Sequence, residues 1–268
     1  MERKRKDVKG KVVLVTGGSR GMGRLIAERF AADGARVVLW ARTEADLQVA
    51  VDDFRRQGWE AHAYAVDVSD PLLVKETAAR VRDEVGPVDV LINNAGIVQS
   101  GSFLEVSPEA HRRTMDINFN ACMWTIQAFL PDMLERNQGH VINMASAAGM
   151  AYMPRLTSYC ASKAAVIHFT DALRLEVKRM GKRGVRFTIV CPAFIRTGMF
   201  DGARPPFWLP WLKPEDLADV IYRGYHANRV MIYDPLMAWT TPFFRAVVMR
   251  RFLDFFLGVF GLSRTMER

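Results

Sequence analysis

The sequence has few cysteines, and none of them are paired at a spacing typical of metal or redox sites. Cys122, Cys160 and Cys191 are isolated, and the five histidines form no HExxH or similar arrangement. This pattern argues against a disulfide-stapled secreted fold and against a zinc centre. We therefore expect reduced, mostly packed cysteines and no metal site.

The N-terminus also lacks the apolar stretch of a secretory signal, because residues 1–6 are mainly basic and the predicted fold begins at Lys11. No repeat, low-complexity tract or linker interrupts the 268 residues. We expect a cytoplasmic protein with a basic tail over 1–10, a single domain over 11–234 and an apolar, basic C-terminal extension over 235–268.

Acidic residues are outnumbered mainly at the two ends. Residues 1–11 carry six Lys or Arg against two acids, and residues 240–268 carry five against two, whereas the rest carries 26 basic and 25 acidic residues. An almost neutral body argues against a nucleic-acid surface, despite the net charge of +8. The basic ends predict solvated tails or contact with an anionic membrane.

Short β-branched runs alternate with longer amphipathic segments, which predicts a doubly wound parallel sheet with helices on both faces. The predicted strands are Val12–Val15, Arg36–Trp40, Ala61–Val66, Val88–Ile92, His140–Met144 and Val185–Val190, and the predicted helices lie near 22–33, 43–57, 71–85, 108–136 and 156–180. A further helix opens at Pro214. The aromatic and proline-rich segment 197–212 suits an active-site lid.

A glycine-rich turn follows the first predicted strand. It comprises Gly17, Ser19, Arg20, Gly21, Met22 and Gly23. A chain that turns on glycines and then starts a helix directs backbone N–H groups at one point, which suits a pyrophosphate. Such a turn is also common without any ligand, so its meaning depends on the residues downstream.

Tyr159 and Lys163 are four residues apart and share a helix face. A nearby ammonium favours the phenolate, so we expect Lys163 to bring the pKa of Tyr159 toward the working range of a general acid or base. Ser146 follows a strand end and is placed to hold a substrate oxygen. Asn118 is a candidate for a water-mediated link to Lys163.

The order of these motifs resembles the short-chain dehydrogenase/reductase family from about Lys11 to Asp234. The motifs are Thr16-Gly17-x3-Gly21-x-Gly23, Asn93-Asn94-Ala95-Gly96, Asn118, Ser146, Tyr159-x3-Lys163 and Pro192 to Thr197. The resemblance implies a Rossmann-type sheet of about seven strands, a nicotinamide cofactor and a catalytic tetrad of Asn118, Ser146, Tyr159 and Lys163. Cys191 departs from the glycine that is frequent in the family.

The resemblance also implies a role for individual cofactor-binding residues. Lys163, with Tyr159, would contact the nicotinamide ribose, Asp67 and Val68 the adenine, and Thr197 the carboxamide. Asn94 would support the central strand and the cofactor pocket, and Ala95, Gly96 and Pro192 complete the implied set.

Charge near the second strand favours NADPH over NADH. Ala41 stands where an NAD enzyme presents a carboxylate to the ribose 2′-OH, and Arg20 and Arg42 are available for a 2′-phosphate. The alternative is that both arginines are merely solvated.

Apolar residues of the lid and the C-terminal extension predict a hydrophobic alcohol or carbonyl substrate. The end of the chain, from Leu212-Lys213-Pro214-Glu215 through the aromatic and basic tail, also resembles the retinol dehydrogenase and 17β-hydroxysteroid dehydrogenase branches, more weakly than the chain resembles the family. The alternatives are a 3-oxoacyl-thioester reductase and a non-catalytic NADP(H)-binding redox sensor. Family members commonly form dimers or tetramers.

The segment 242–261 would form a helix with a broad apolar face, which predicts either peripheral membrane contact or packing on the body or a second subunit.

Overall fold

The computed structural model describes residues 5–200, 202–205 and 211–236. Within these residues the chain forms one parallel sheet of seven strands in the order β3-β2-β1-β4-β5-β6-β7. The strands are β1 (Val12–Thr16), β2 (Arg36–Ala41), β3 (Ala61–Ala65), β4 (Val90–Asn93), β5 (Gly139–Met144), β6 (Val185–Pro192) and β7 (Met231–Asp234). The predicted fold class is confirmed, and β7 is the strand that the sequence pattern does not locate.

Seven α-helices connect these strands in the described residues. They are α1 (Gly21–Ala32), α2 (Glu44–Arg56), α3 (Pro71–Glu84), α4 (Pro108–Met115), α5 (Ala121–Glu135), α6 (Thr157–Arg179) and α7 (Pro214–His226). The helical stretch predicted near 108–136 is confirmed, and within it a π-helical segment, Asp116–Asn120, separates α4 from α5.

Alternate residues of the central strand pack on opposite faces of the sheet. Val13 and Val15 of β1 belong to the core formed with α1, α2 and α7, whereas Val12 and Leu14 belong to the core formed with α3, α5 and α6. This alternation buries both faces and explains the continuous apolar run of β1. The connections diverge between β1 and β4, where the strand order reverses, so a crevice forms at the carboxyl ends.

Helix starts follow local capping chemistry. The Asp70 carboxylate accepts hydrogen bonds from the backbone N–H groups of Leu72 and Leu73, and the Ser107 hydroxyl accepts one from Ala110. Each cap precedes a proline, as the sequence predicts. Helix α7 also starts on a proline, but Lys213 makes no side-chain cap.

The first described residues, 5–10, form an N-terminal strap across the amino ends of the strands. Val8 is 2% exposed. The Thr188 hydroxyl donates its one hydrogen to the Arg229 carbonyl (2.6 Å), so it accepts from the Nε2–H of His140 (2.8 Å). The other ring nitrogen of His140, Nδ1, therefore accepts from Lys6 Nζ (3.1 Å). This part of the basic N-terminus is therefore packed on the domain, at Lys6 and Val8, rather than solvated.

Part of the predicted lid, residues 201 and 206–210, and the C-terminal segment from 237 onward lie outside the described residues. The predicted amphipathic segment 242–261 belongs to that part. Across the residues that are described, no helix combines the length and the apolar character needed to cross a bilayer.

Candidate active site

A cavity of about 660 Å³ lies at the carboxyl ends of the strands. Nearly all the predicted cofactor residues line it, namely Gly17, Ser19, Arg20, Gly21, Met22, Arg42, Asp67, Val68, Asn94, Ala95, Gly96, Tyr159, Lys163, Pro192 and Thr197. The predicted catalytic Ser146 lines it as well. Gly23 and Asn118 are not part of the lining. The fold thus brings sixteen positions, spread from 17 to 197 in the chain, to one cavity.

The glycine turn leaves the start of α1 free to bind an anion. Gly17 and Gly21 have φ values of +65° and +55°, which glycine adopts without strain. Arg20 is the N-cap of α1 but makes no side-chain cap, and the first turn carries no acid. The free N–H groups at this helix start fit a pyrophosphate, because the helix dipole and the unpaired donors favour negative charge there.

Gly23 is required by packing rather than by contact with the cavity. A Cβ at this position would lie 2.2 Å from the Gly17 carbonyl oxygen and 2.5 Å from Asn94 Nδ2. Asn94 Nδ2 itself donates to the Thr16 carbonyl at 3.0 Å. The absence of a side chain at Gly23 therefore allows α1 to approach the turn and Asn94 to hold it.

Thr16 has a structural role that the sequence reading does not assign. Its hydroxyl oxygen accepts hydrogen bonds from the backbone N–H groups of Asn94 and Ala95, both at 3.0 Å. Thr16 is at the end of β1 and 2% exposed. These bonds hold the loop after β4 against the end of β1, from which the glycine turn starts.

Tyr159 and Ser146 are adjacent in the cavity. Desolvation by burial raises the pKa of Tyr159 to about 12, and the neighbouring Ser146 side chain offsets only part of this rise. The Ser146 hydroxyl donates to the Pro192 carbonyl at 3.3 Å. The Ser146 hydroxyl oxygen also accepts from the Ala148 N–H at 3.1 Å, which orients Ser146 at the start of a short 3-10 turn. A substrate oxygen that reaches this pair would contact two hydroxyl groups.

Lys163 is directed at the strand end rather than at the Tyr159 hydroxyl. Its Nζ donates to the Met144 carbonyl at 2.8 Å and lies 5.8 Å from the centre of the Tyr159 ring. Burial lowers the pKa of Lys163. The expectation that Lys163 brings the pKa of Tyr159 down is therefore wrong for this arrangement, because desolvation of the phenol is the dominant effect.

Asn118 lies behind the cavity, in the π-helical segment. Its Oδ1 accepts from the Ile97 N–H (2.8 Å), and its Nδ2 donates to the Ile97 carbonyl (3.0 Å) and to the Ser162 hydroxyl (3.1 Å). Ser162 in turn donates to the Tyr159 carbonyl at 2.7 Å. The side chain of Asn118 thus joins the loop after β4 to α6, and its link to Lys163 through water stays a prediction.

The end of the cavity near β2 carries unpaired charge. Arg20 and Arg42 line this end, and neither side chain makes a hydrogen bond or ion pair within the described part of the chain. Ala41 lies beside them and contributes no carboxylate. Thr43 and Asp46, which the sequence reading does not assign to the site, also line this end.

An aromatic wall lies on the other side of Tyr159, where Phe200 lines the cavity and Phe194 and Trp211 pack behind it. The Phe200 ring meets the Tyr159 ring edge to face at 5.8 Å, and Phe194 contacts Phe200 at 5.4 Å and Trp211 at 5.8 Å. The base of the predicted lid is fixed by the Leu212 N–H, which donates to the Phe194 carbonyl at 2.8 Å. This wall suits a hydrophobic group better than a charged one.

Cys191, the departure from the family pattern, is fully buried in β6. Its Sγ lies 3.8 Å from the Met231 sulfur, and burial raises its pKa to about 12. A thiol in these surroundings stays protonated and unreactive. The substitution therefore changes packing beneath Pro192 without adding a nucleophile.

Comparison with known sequences decides the family. The sequence model described as short chain dehydrogenase matches residues 11–206. The chain belongs to the short-chain dehydrogenase family. It is therefore an oxidoreductase that acts on CH–OH donors with a nicotinamide cofactor.

Several proteins are similar to this short-chain dehydrogenase over most of their length. The 17-beta-hydroxysteroid dehydrogenase 13 of Mus musculus is 36% identical over 87% of this chain and 76% of its own. Epidermal retinol dehydrogenase 2 of Homo sapiens is 37% identical over 90% of this chain and 79% of its own. A short chain dehydrogenase/reductase from Burkholderia phymatum, solved in complex with NAD, superposes with a TM-score of 0.80 at 29% identity, covering 94% and 96% of the two chains.

Proposed function

We propose that this dehydrogenase uses NADP(H) to interconvert a hydrophobic alcohol and its carbonyl compound, with Tyr159 as general acid or base. The observation that carries the proposal is a single cavity with two unpaired arginines, Arg20 and Arg42, at one end and Tyr159 beside an aromatic wall at the other. When bound, the nicotinamide cofactor supplies or accepts the hydride.

The cofactor would be held by the groups that line the cavity from β1 to β6. The start of α1 and Arg20 would bind phosphate, Asp67 and Val68 would contact the adenine, and Thr197 would contact the carboxamide. Arg42 would bind the 2′-phosphate, because a guanidinium forms strong charge-assisted bonds with a phosphate dianion. Ala41 leaves no carboxylate at the strand end to repel it.

Tyr159 would exchange a proton with the substrate oxygen. Since burial raises its pKa to about 12, the phenol is protonated near neutral pH and is a proton donor to a carbonyl oxygen. Ser146, which lines the cavity with Tyr159, would hold the same oxygen. Lys163 would contact the nicotinamide ribose, and Asn118 would keep Ile97 and α6 in register beneath it.

The substrate class follows from the wall around Tyr159. Val98, Phe194, Phe200 and Trp211 form or border one apolar cluster with the Tyr159 ring. Such a wall fits a lipid-, retinoid- or steroid-like molecule, in line with the names of the relatives. A 3-oxoacyl thioester and a purely regulatory role for the bound nucleotide are the alternatives.

We also propose a cytoplasmic protein that assembles as a homodimer or homotetramer. All three cysteines are free and buried. The C-terminal segment 242–261, outside the described residues, would either contact an anionic membrane surface or pack on the body or a second subunit.

A substrate panel followed by NADPH absorbance tests the proposal. We expect turnover of retinoid, steroid or long-chain carbonyl compounds, with kcat/KM higher for NADPH than for NADH. The double variant Ala41→Asp with Arg42→Ala should reduce or reverse that preference, because repulsion replaces attraction at the 2′-phosphate.

Three results would contradict parts of this proposal. Equal kcat/KM for the two cofactors would show that Arg20 and Arg42 are merely exposed charges. Turnover of acyl thioesters alone would favour the thioester reductase. Tight NADPH binding without turnover of any compound would favour the redox sensor.

A further inference from the structure

Asp46 presents an unpaired carboxylate to the cofactor cavity. It lies in the first turn of α2, is half-buried and lines the cavity. Within residues 5–200, 202–205 and 211–236 it makes neither a hydrogen bond nor an ion pair. Two acids further along α2 do have partners, because Asp52 accepts from Gln48 at 2.8 Å and Asp53 pairs with Arg24 at 2.7 Å. Among the same described residues Glu44 has none either, but it does not line the cavity.

The helix dipole favours an acid in the first turn of α2, but no local hydrogen bond holds the Asp46 carboxylate. An acid three residues after an N-cap commonly accepts a hydrogen bond from the N-cap backbone N–H, which completes a capping box. Here Thr43 is the N-cap of α2, and neither its side chain nor Asp46 makes that bond. The carboxylate is therefore left facing the cavity rather than folded back on its own helix.

Asp46 lies at the end of the cavity where the adenosine ribose is expected. The Gly18 N–H donates to the Trp40 carbonyl at 3.1 Å, so the glycine turn and the end of β2 are in direct contact. Asp46 lines the cavity together with Arg20, Arg42 and Thr43 from these two segments. In this fold the end of the second strand contacts the ribose 2′ position.

We propose that Asp46 is a specificity-determining residue that limits the preference for NADP(H) over NAD(H). The carboxylate repels a 2′-phosphate dianion and accepts a hydrogen bond from a 2′-hydroxyl, and both effects favour the unphosphorylated nucleotide. This inference rests on the proposed function. It adds that the arginines act against a fixed negative charge, so that NADH remains a usable cofactor.

The variant Asp46→Asn tests this inference, because it removes the charge and keeps the shape of the side chain. Binding of NADPH and NADH is measured by nucleotide fluorescence on the full chain, with no substrate present. We expect the ratio Kd(NADH)/Kd(NADPH) to rise about fivefold at low salt, and by less at about 0.5 M salt, where screening weakens the repulsion.

Asp52→Asn is the matched control. Asp52 lies on the same helix, its substitution changes the net charge equally, and it does not line the cavity. Its nucleotide ratio is expected to equal that of the wild type. Thermal melting of both variants shows that each is folded.

An unchanged ratio Kd(NADH)/Kd(NADPH) in Asp46→Asn would overturn the inference. A lower ratio would overturn it as well, because it would mean that Asp46 orients Arg42 for the phosphate. The proposed function fails by a different result, namely a wild-type protein with no preference for NADPH. Loss of the preference in Arg42→Ala with no effect of Asp46→Asn would leave the proposed function intact and remove this inference alone.

Discussion

Tyr159 and Lys163 show how burial acts on single residues of the site. Both side chains are nearly inaccessible, at 4% and 5% exposure. Desolvation raises the pKa of the phenol and lowers that of the ammonium, so both changes favour the neutral forms. The phenol of Tyr159 is consequently protonated near neutral pH, as the proposed role of proton donor requires.

Replacement of the phenol tests this role directly. Tyr159→Phe keeps the ring against Phe200 and removes only the hydroxyl, so we expect kcat to fall about a hundredfold or more while the Kd for NADPH is unchanged. Stopped-flow or steady-state NADPH oxidation gives the first value, and fluorescence titration gives the second.

Tyr225→Phe is the control for this substitution. Tyr225 is also buried, but it packs beside Phe30 and Lys6 and does not line the cavity. It is expected to retain wild-type turnover. A Tyr159→Phe protein with near-wild-type kcat at saturating NADPH would refute the assignment of Tyr159.

At the scale of elements, the N-terminal strap packs Lys6 against the amino end of β5 and against α7. Lys6 Nζ contacts His140 at 3.1 Å and lies 3.9 Å from the centre of the Tyr225 ring. Desolvation, with a smaller contribution from Arg186, lowers the pKa of Lys6 from 10.5 to about 8. The strap therefore favours the neutral amine more than the unfolded chain does.

This shift predicts a pH dependence of stability. Between pH 8 and 10.5 the unfolded chain binds more protons at Lys6 than the folded chain, so the contribution of Lys6 to the free energy of unfolding rises with pH across this window. Melting temperatures of wild type and Lys6→Met, measured from pH 7 to 11, should therefore diverge in favour of the wild type.

Lys9→Met is the control for this measurement, because Lys9 belongs to the same strap and is exposed. Its melting temperature is expected to follow the wild type at every pH. A constant difference between wild type and Lys6→Met across the window would show that Lys6 contributes by contact alone.

Sequence patterns locate six of the seven strands, because strands depend on local periodicity. About half of the cavity lining is predicted as well, partly from the glycine turn and the Tyr159–Lys163 spacing and partly from the family resemblance. The π-helical segment Asp116–Asn120 is not predictable in this way, since it accompanies hydrogen bonds from Asn118 to Ile97 and Ser162, which are distant in the chain. The sequence does not predict that Asp46 lines the cavity, for a related reason. Its position depends on the direction in which α2 starts after β2, and residue spacing does not determine that direction.

The whole molecule combines a nearly neutral body with basic ends, and the C-terminal segment 242–261 stays a sequence prediction. If this segment contacts membranes, flotation with anionic vesicles recovers the full chain and not a chain truncated after Thr241, because arginines beside an apolar face bind anionic lipid surfaces. Vesicles of neutral lipid serve as the control for charge. Absence of flotation for both chains would exclude the membrane interpretation, and loss of the oligomer on truncation would support packing.

The N-terminal strap and the cavity lie at opposite ends of the parallel strands, the strap at the amino ends and the cavity at the carboxyl ends. Coupling the protein to a solid support through its first residues would thus turn the cavity mouth toward the bulk liquid. Protein immobilised in this orientation is expected to keep its cavity open to substrate. Random attachment through surface lysines would instead leave a fraction of the molecules with the cavity opening blocked by the support.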